Sequence, residues 1–179
     1  AMDVNWHYSE PYFDSINQDR VLAIGIQECN EGILTENEVN VVTTGAKGNA
    51  PTIDAVIVYG VTEFEISWNN ITQIDTVNAG QASYSNAVDL YAFERLTVKY
   101  NNILVKTTSG IAAKGTAYPI QATGPYAALV IDNNNLTSIS NGPALAIYSQ
   151  NYNEITDIEI TFNRIDVTGL ATENDYALV

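Results

Sequence analysis

Cysteine, histidine and methionine occur once each in the 179 residues, as Cys29, His7 and Met2. A single cysteine excludes an intramolecular disulfide and a cysteine-based zinc site, and a single histidine leaves no Ser/His/Asp or Cys/His set to argue from. Cations are scarce too, with 7 Lys and Arg against 21 Asp and Glu for a formal charge of −14. They are scattered from Arg20 to Arg164, so no basic stripe tracks phosphates, and nucleic acid and anionic lipid surfaces are poor partners. No run approaches 18 apolar residues, which excludes membrane insertion of this segment as a helix. What is present is a 46% share of hydrophobic residues, enough for one globular core without disulfide or metal. Ala1 ahead of Met2 leads us to expect a section of a longer protein.

The hydrophobic residues are arranged in a repeat. Glu36-Asn37-Glu38-Val39, Trp68-Asn69-Asn70-Ile71, Tyr100-Asn101-Asn102-Ile103, Asn133-Asn134-Asn135-Leu136 and Phe162-Asn163-Arg164-Ile165 share one pattern, and their aligned Asn residues step by 32, 32, 33 and 29. Three residues before each Asn stand Leu34, Ile66, Val98, Ile131 and Ile160, and five before stand Phe64, Leu96, Leu129 and Ile158, with Gly32 the one non-apolar member. Ile33, Glu65, Thr97, Val130 and Glu159 alternate between these columns, so each segment reads as a half-buried strand. Small-residue connections follow, at Thr43 to Pro51, Asn78 to Asn86 and Thr107 to Pro119, and further strands at Ala55 to Tyr59, Ala87 to Tyr91 and Ala144 to Tyr148.

One repeat is too small to close a core, so repeats must stack. A propeller blade would need four strands joined by hairpin turns, and a leucine-rich repeat a shorter, Leu-rich period. The spacing predicts instead an all-β fold, a right-handed parallel β-helix of about five coils with a period of about 32 residues. Coils stacked about 4.8 Å apart would make a rod roughly 24 Å long. Residues 1–20, rich in aromatics around His7, are expected to cap the first coil, and residues 21–179 to form the solenoid. Tyr176 to Val179 resembles the start of a further coil.

Each column then has a physical meaning. Asn37, Asn69, Asn101, Asn134 and Asn163 are expected at a corner, in the left-handed backbone region, with their amides bonded in a ladder. The column before them, Glu36, Trp68, Tyr100, Asn133 and Phe162, follows the inward parity and predicts an internal aromatic stack; an exposed platform for sugar rings is the alternative. Glu31, Glu63 and Asp157 share an outward column that Arg95 and Ala128 interrupt, beside Glu65 and Glu159. This is read as a solvated anionic face, with Ca²⁺ shared between coils as the alternative. Asn70-Ile71-Thr72 and Asn135-Leu136-Thr137 match the N-glycosylation acceptor pattern, which matters if the protein is secreted.

The coils Glu63-Phe64-Glu65-Ile66-Ser67-Trp68-Asn69-Asn70-Ile71 and Asp157-Ile158-Glu159-Ile160-Thr161-Phe162-Asn163-Arg164-Ile165 resemble parallel β-helix repeats of the pectate-lyase-like superfold. With strands such as Ala146-Ile147-Tyr148, residues 21–179 are most similar to adhesin-like surface proteins of methanogenic archaea. The resemblance implies a large extracellular, cell-surface protein that meets polysaccharide, or the surface glycans or proteins of other cells. A noncatalytic contact domain is therefore expected, with Tyr84, Tyr118 and Tyr126 as binding rings, no cofactor beyond possible Ca²⁺, and a spacer role close behind. The alternative is a polysaccharide lyase or glycoside hydrolase drawing on Glu63, Glu65, Asp89, Glu94, Arg95 and Lys99, and for it the fold alone is no argument.

Overall fold

The computed structural model describes residues 20–46, 52–77, 83–109, 115–151, 157–169 and 176–178, and the expected N-terminal cap lies outside them. Every described element is a strand, and the strands follow the period read from the sequence. The first coil holds β1 (Arg20–Gln27), β2 (Glu31–Thr35) and β3 (Glu38–Ala46), and the second β4 (Thr52–Tyr59), β5 (Glu63–Ser67) and β6 (Asn70–Val77). The third runs as β7 (Ser83–Lys99) and β8 (Asn102–Ser109), and the fourth as β9 (Gly115–Asp132) and β10 (Asn135–Ser140). β11 (Leu145–Asn151), β12 (Asp157–Thr161) and β13 (Arg164–Thr168) follow, and β14 (Tyr176–Leu178) opens the next coil by pairing with β11.

All pairs are parallel and form three faces. The first is ordered β1-β4-β7-β9-β11-β14, the second joins β2 and β5 to the later halves of β7 and β9 and then β12, and the third is β3-β6-β8-β10-β13. β7 and β9 run through the corner between the first two faces, so these count as one nine-stranded sheet. The solenoid makes about four turns, where about five coils were expected. The five Asn corners enclose only four stacking steps.

The core is a set of aliphatic columns in register: Val39, Ile71, Ile103 and Leu136 from the third face, Val56, Val88, Ile120 and Ile147 from the first, and Ile66, Val98 and Ile131 from the second, all fully buried. Burying one such side chain stabilises by about 1.5–3 kcal/mol, and repetition makes the column the main apolar contribution. Gly32 breaks its column for a steric reason: a Cβ there would lie 2.4 Å from a ring carbon of Phe64, whose side chain occupies the space.

Of the corners that turn the chain, two recur in the described residues with a backbone in the left-handed region. At the corner before β3, β6, β8, β10 and β13 the positive φ falls on Glu36 (57°), Trp68 (59°), Tyr100 (57°), Asn133 (54°) and Phe162 (52°), not on the ladder Asn that was expected to adopt it. The other corner carries it at Glu28, Gly60, Ala92 and Gly124, a 32-residue column that the sequence reading did not single out. At Gly124 φ is 90° and a Cβ would sit 2.8 Å from the Tyr91 ring, so only glycine fits.

The Asn ladder itself forms as expected. Asn37 Nδ2 donates to Asn69 Oδ1 at 3.0 Å, Asn69 to Asn101 at 3.0 Å, Asn101 to Asn134 at 3.0 Å and Asn134 to Asn163 at 3.0 Å. The same oxygens accept the backbone N–H of the Asn one coil below, at 2.9–3.0 Å. Each inner amide also donates to carbonyls of its own and the preceding coil, as Asn101 Nδ2 does to Lys99 O (3.0 Å) and Ile66 O (2.9 Å).

On the third face a stretch of the interior is polar. Thr43, Asp75, Thr107 and Ser140 form a buried column on the third face, and Gln73 stands between Val41 and Val105 in the next. Gln73 Nε2 donates to Asp75 Oδ2 (2.7 Å) and Ile53 O (2.8 Å), while the Thr43 hydroxyl donates to the other Asp75 oxygen. Burial pushes the Asp75 carboxyl up to about 6, against the pull of the Thr43 and Gln73 hydrogen bonds and with a contribution from Asp54.

Two predictions follow from this interior. Asn101→Ala strands several buried groups at once and is expected to destabilise by about 3–5 kcal/mol in urea unfolding, whereas Asn102→Ala, on the exposed side, loses less than about 1 kcal/mol. For Asp75 the folded state holds its proton more tightly than the unfolded chain, so stability falls as pH rises from about 4 to beyond 6, by about 3 kcal/mol. Asp75→Asn should flatten that part of the pH dependence; an unchanged slope in urea midpoints between pH 4 and 7 would refute the assignment.

Candidate contact surface

Among the described residues the two most exposed rings, Phe162 and Trp68, lie on the corner before the ladder. Because the residue at each corner has a positive φ, the strand alternation slips there by one, turning the following Asn inward and its own side chain outward. Trp68 is 59% exposed, Tyr100 40% and Phe162 84%, so the expected internal stack is external. Trp68 and Tyr100 still stack, with centroids 4.4 Å apart and planes 18° apart. Glu36 and Asn133 occupy the remaining corner positions and are also exposed.

A second surface is the outer side of the second face. A groove of about 900 Å³ runs there, lined by Glu31, Glu63, Glu65, Arg95, Phe64 and Asp157 among others. The register matches the sequence reading: Glu31, Glu63, Arg95, Ala128 and Asp157 are neighbours in one row. Glu65 is committed to Lys99 Nζ at 2.7 Å and to the Ser67 hydroxyl at 2.6 Å, and these two donors hold its carboxyl below the usual range. Among the described residues no three His, Cys, Asp or Glu side chains converge as a metal site would need.

The expected binding tyrosines separate. Tyr84 and Tyr118 stack at 6.3 Å on the first face, where Tyr148 meets Tyr118 edge-on at 5.9 Å. Burial and the neighbouring tyrosines push the Tyr118 phenol up to about 12, so it stays a neutral hydrogen-bonding group. Tyr126 is only 1% exposed; it lies flat on Phe93 (4.7 Å, 7°), with its hydroxyl on Ser149, and offers no ring to a ligand. Its position in the long β9 places it inside the corner that Gly124 turns. Tyr59 and Tyr91, at the ends of two of the expected strands, stack at 5.4 Å beside a smaller cleft of about 400 Å³ that also holds Asp89.

The acids considered for catalysis are likewise divided. Glu63 and Glu65 share the groove, Asp89 belongs to the tyrosine cleft, and Glu94 lines a third hollow with Phe93 and Pro125. Asn70 and Asn135, the two sequon residues, are exposed on the third face and flank Asn102 in an outer ladder (2.8 and 2.7 Å). Among the described residues no helix is long and apolar enough to cross a membrane. Compared with protein-family models, curated proteins and solved structures, the chain gives no match.

Proposed function

We propose that this chain is a noncatalytic, adhesin-like section of an extracellular cell-surface protein, making contact with polysaccharide or with the surface of another cell. The observation that carries the reading is the row of aromatic side chains held outward at the corner. A bulky residue at positive φ is disfavoured relative to Gly or Asn, by about 1 kcal/mol or more. A corner that only had to turn would be more stable without those rings, and three of the five positions hold them.

Two further features support the same reading. Glu65, one of the acids of the groove, is engaged by Lys99 and Ser67, which suits a structural carboxylate better than one that protonates a leaving group. The uninterrupted ladder makes the solenoid a stiff support, which suits holding contacts, or other domains, away from a surface.

The test is a screen of the purified chain against polysaccharides and glycans, with Ca²⁺ and with chelator, reading product release in the same wells. Retention without turnover is the expected result, and loss with chelator would point to Ca²⁺ in the carboxylate row. Turnover of any polysaccharide would replace this reading with that of a β-helical lyase or hydrolase. Silence throughout would leave the spacer role.

A further inference from the structure

The corner row contains a gap of definite size. Trp68 and Tyr100 close on one another at 4.4 Å, so each gives one ring face to its neighbour. The next position is Asn133, whose short side chain ends the stack and turns aside, Nδ2 donating to Asp132 Oδ2 at 2.7 Å. One coil further stands Phe162, the most exposed large hydrophobic side chain among the described residues. These three positions sit on successive coils, tied by Tyr100 N to Asp132 O (3.2 Å) and Asn133 N to Thr161 O (3.1 Å). Two coil steps, about 9.6 Å, therefore separate the ring-bearing positions 100 and 162.

We propose that this gap is a binding slot for one neutral pyranose ring, stacked between Tyr100 and Phe162 over Asn133. The proposal rests on the contact reading above and assigns it a place and a ligand class. Half of the two-coil distance, about 4.8 Å, remains on either side of an inserted ring. A saturated sugar ring is thicker than an aromatic one, and its C–H face fills that space against an aromatic face.

The floor is polar. The Asn133 amide is exposed, and the Asp132 carboxylate beside it is fixed by the Thr161 hydroxyl at 2.7 Å and by Asn133 itself. Amide and carboxylate, already fixed by these bonds, have further hydrogen-bonding capacity that suits the hydroxyls around a sugar ring and that an apolar aromatic side chain would not use. Glu36 on the same row, Asp132 and the net charge of −14 disfavour a uronate or sulfated sugar, which makes the ligand neutral. The ring faces of Tyr100 and Phe162 supply contact area, and several copies of so small a site along a polymer would raise avidity.

The experiment titrates the full chain with hexamers of β-linked glucose, mannose, xylose and N-acetylglucosamine, following backbone amide resonances, and repeats it with Asn133→Tyr and Phe162→Ala. One hexamer should saturably shift the amides of residues 100, 133 and 162. Asn133→Tyr, which continues the stack and fills the gap, should abolish those shifts while the chain still unfolds cooperatively, at a melting temperature equal or a few degrees lower because a ring at this positive φ is less favourable than Asn. Phe162→Ala removes an exposed side chain, so it keeps the test valid if the tyrosine variant folds poorly; it should weaken binding roughly tenfold. Binding that Asn133→Tyr and Phe162→Ala leave intact overturns the slot and leaves the contact reading standing. Failure of every hexamer overturns the slot, and if whole polysaccharides also fail, the glycan reading falls with it. Saturable shifts at the same residues from a tryptophan-rich peptide alone would transfer the site to a protein partner and overturn the sugar assignment.

Discussion

The side-chain amide of the corner Asn serves two coils at once, and the rest of the solenoid depends on that. Its oxygen takes both the N–H and the amide of the coil below, and its nitrogen reaches carbonyls on its own and the preceding coil. Few other side chains offer acceptor and donor at the same length. Because these groups are buried, leaving any one unpaired would cost about 1–3 kcal/mol, so every coil must bring an Asn to the same place. That requirement holds the register and lets the aliphatic columns stack. Even the short step of 29 residues between Asn134 and Asn163 ends in the same bond.

The ladder also dictates what the surface displays. Inward aliphatics stand three residues before each Asn and again two after it, an odd separation, so the two runs are out of phase by one residue. A positive φ at the preceding residue absorbs the slip and throws that side chain into solvent. Core closure and ring display are thus one geometric event. Where the display position is Asn133, the turn is formed at little strain, and where it is Trp68, Tyr100 or Phe162, a less favourable turn carries an exposed ring.

Asp75 shows what happens where an interior position departs from this neutral, fully paired scheme. Its carboxyl receives hydrogen bonds from Thr43 and Gln73, yet such neutral donors do not offset the hydration a buried charge loses. The Asn ladder meets the same dielectric without a charge and is indifferent to pH. The solenoid interior therefore combines a pH-insensitive corner with a pH-sensitive group, Asp75, a few residues along the same coil.

The period, the strand alternation and the Asn column were legible in the sequence because stacking repeats the same environment every coil, and repetition leaves a mark on residue type. Register followed from it, down to Arg95 between Glu63 and Ala128 in the outward row. The out-of-phase aliphatic runs around each Asn were there to be read as well, and they locate the slip that turns Trp68 outward. Other features leave no such trace. Tyr126 and Tyr84 are the same residue type in similar surroundings, and only the path of β9 past Gly124 puts one on Phe93 and leaves the other at the surface. The corner at Glu28, Gly60, Ala92 and Gly124 has no common chemistry to mark it, since it is defined by backbone shape. Composition and period thus determined that coils stack and which residues ladder, because those depend on local pattern. Which rings face solvent, and which acids share a groove, the tertiary structure alone decided, because both depend on how each corner aims the chain.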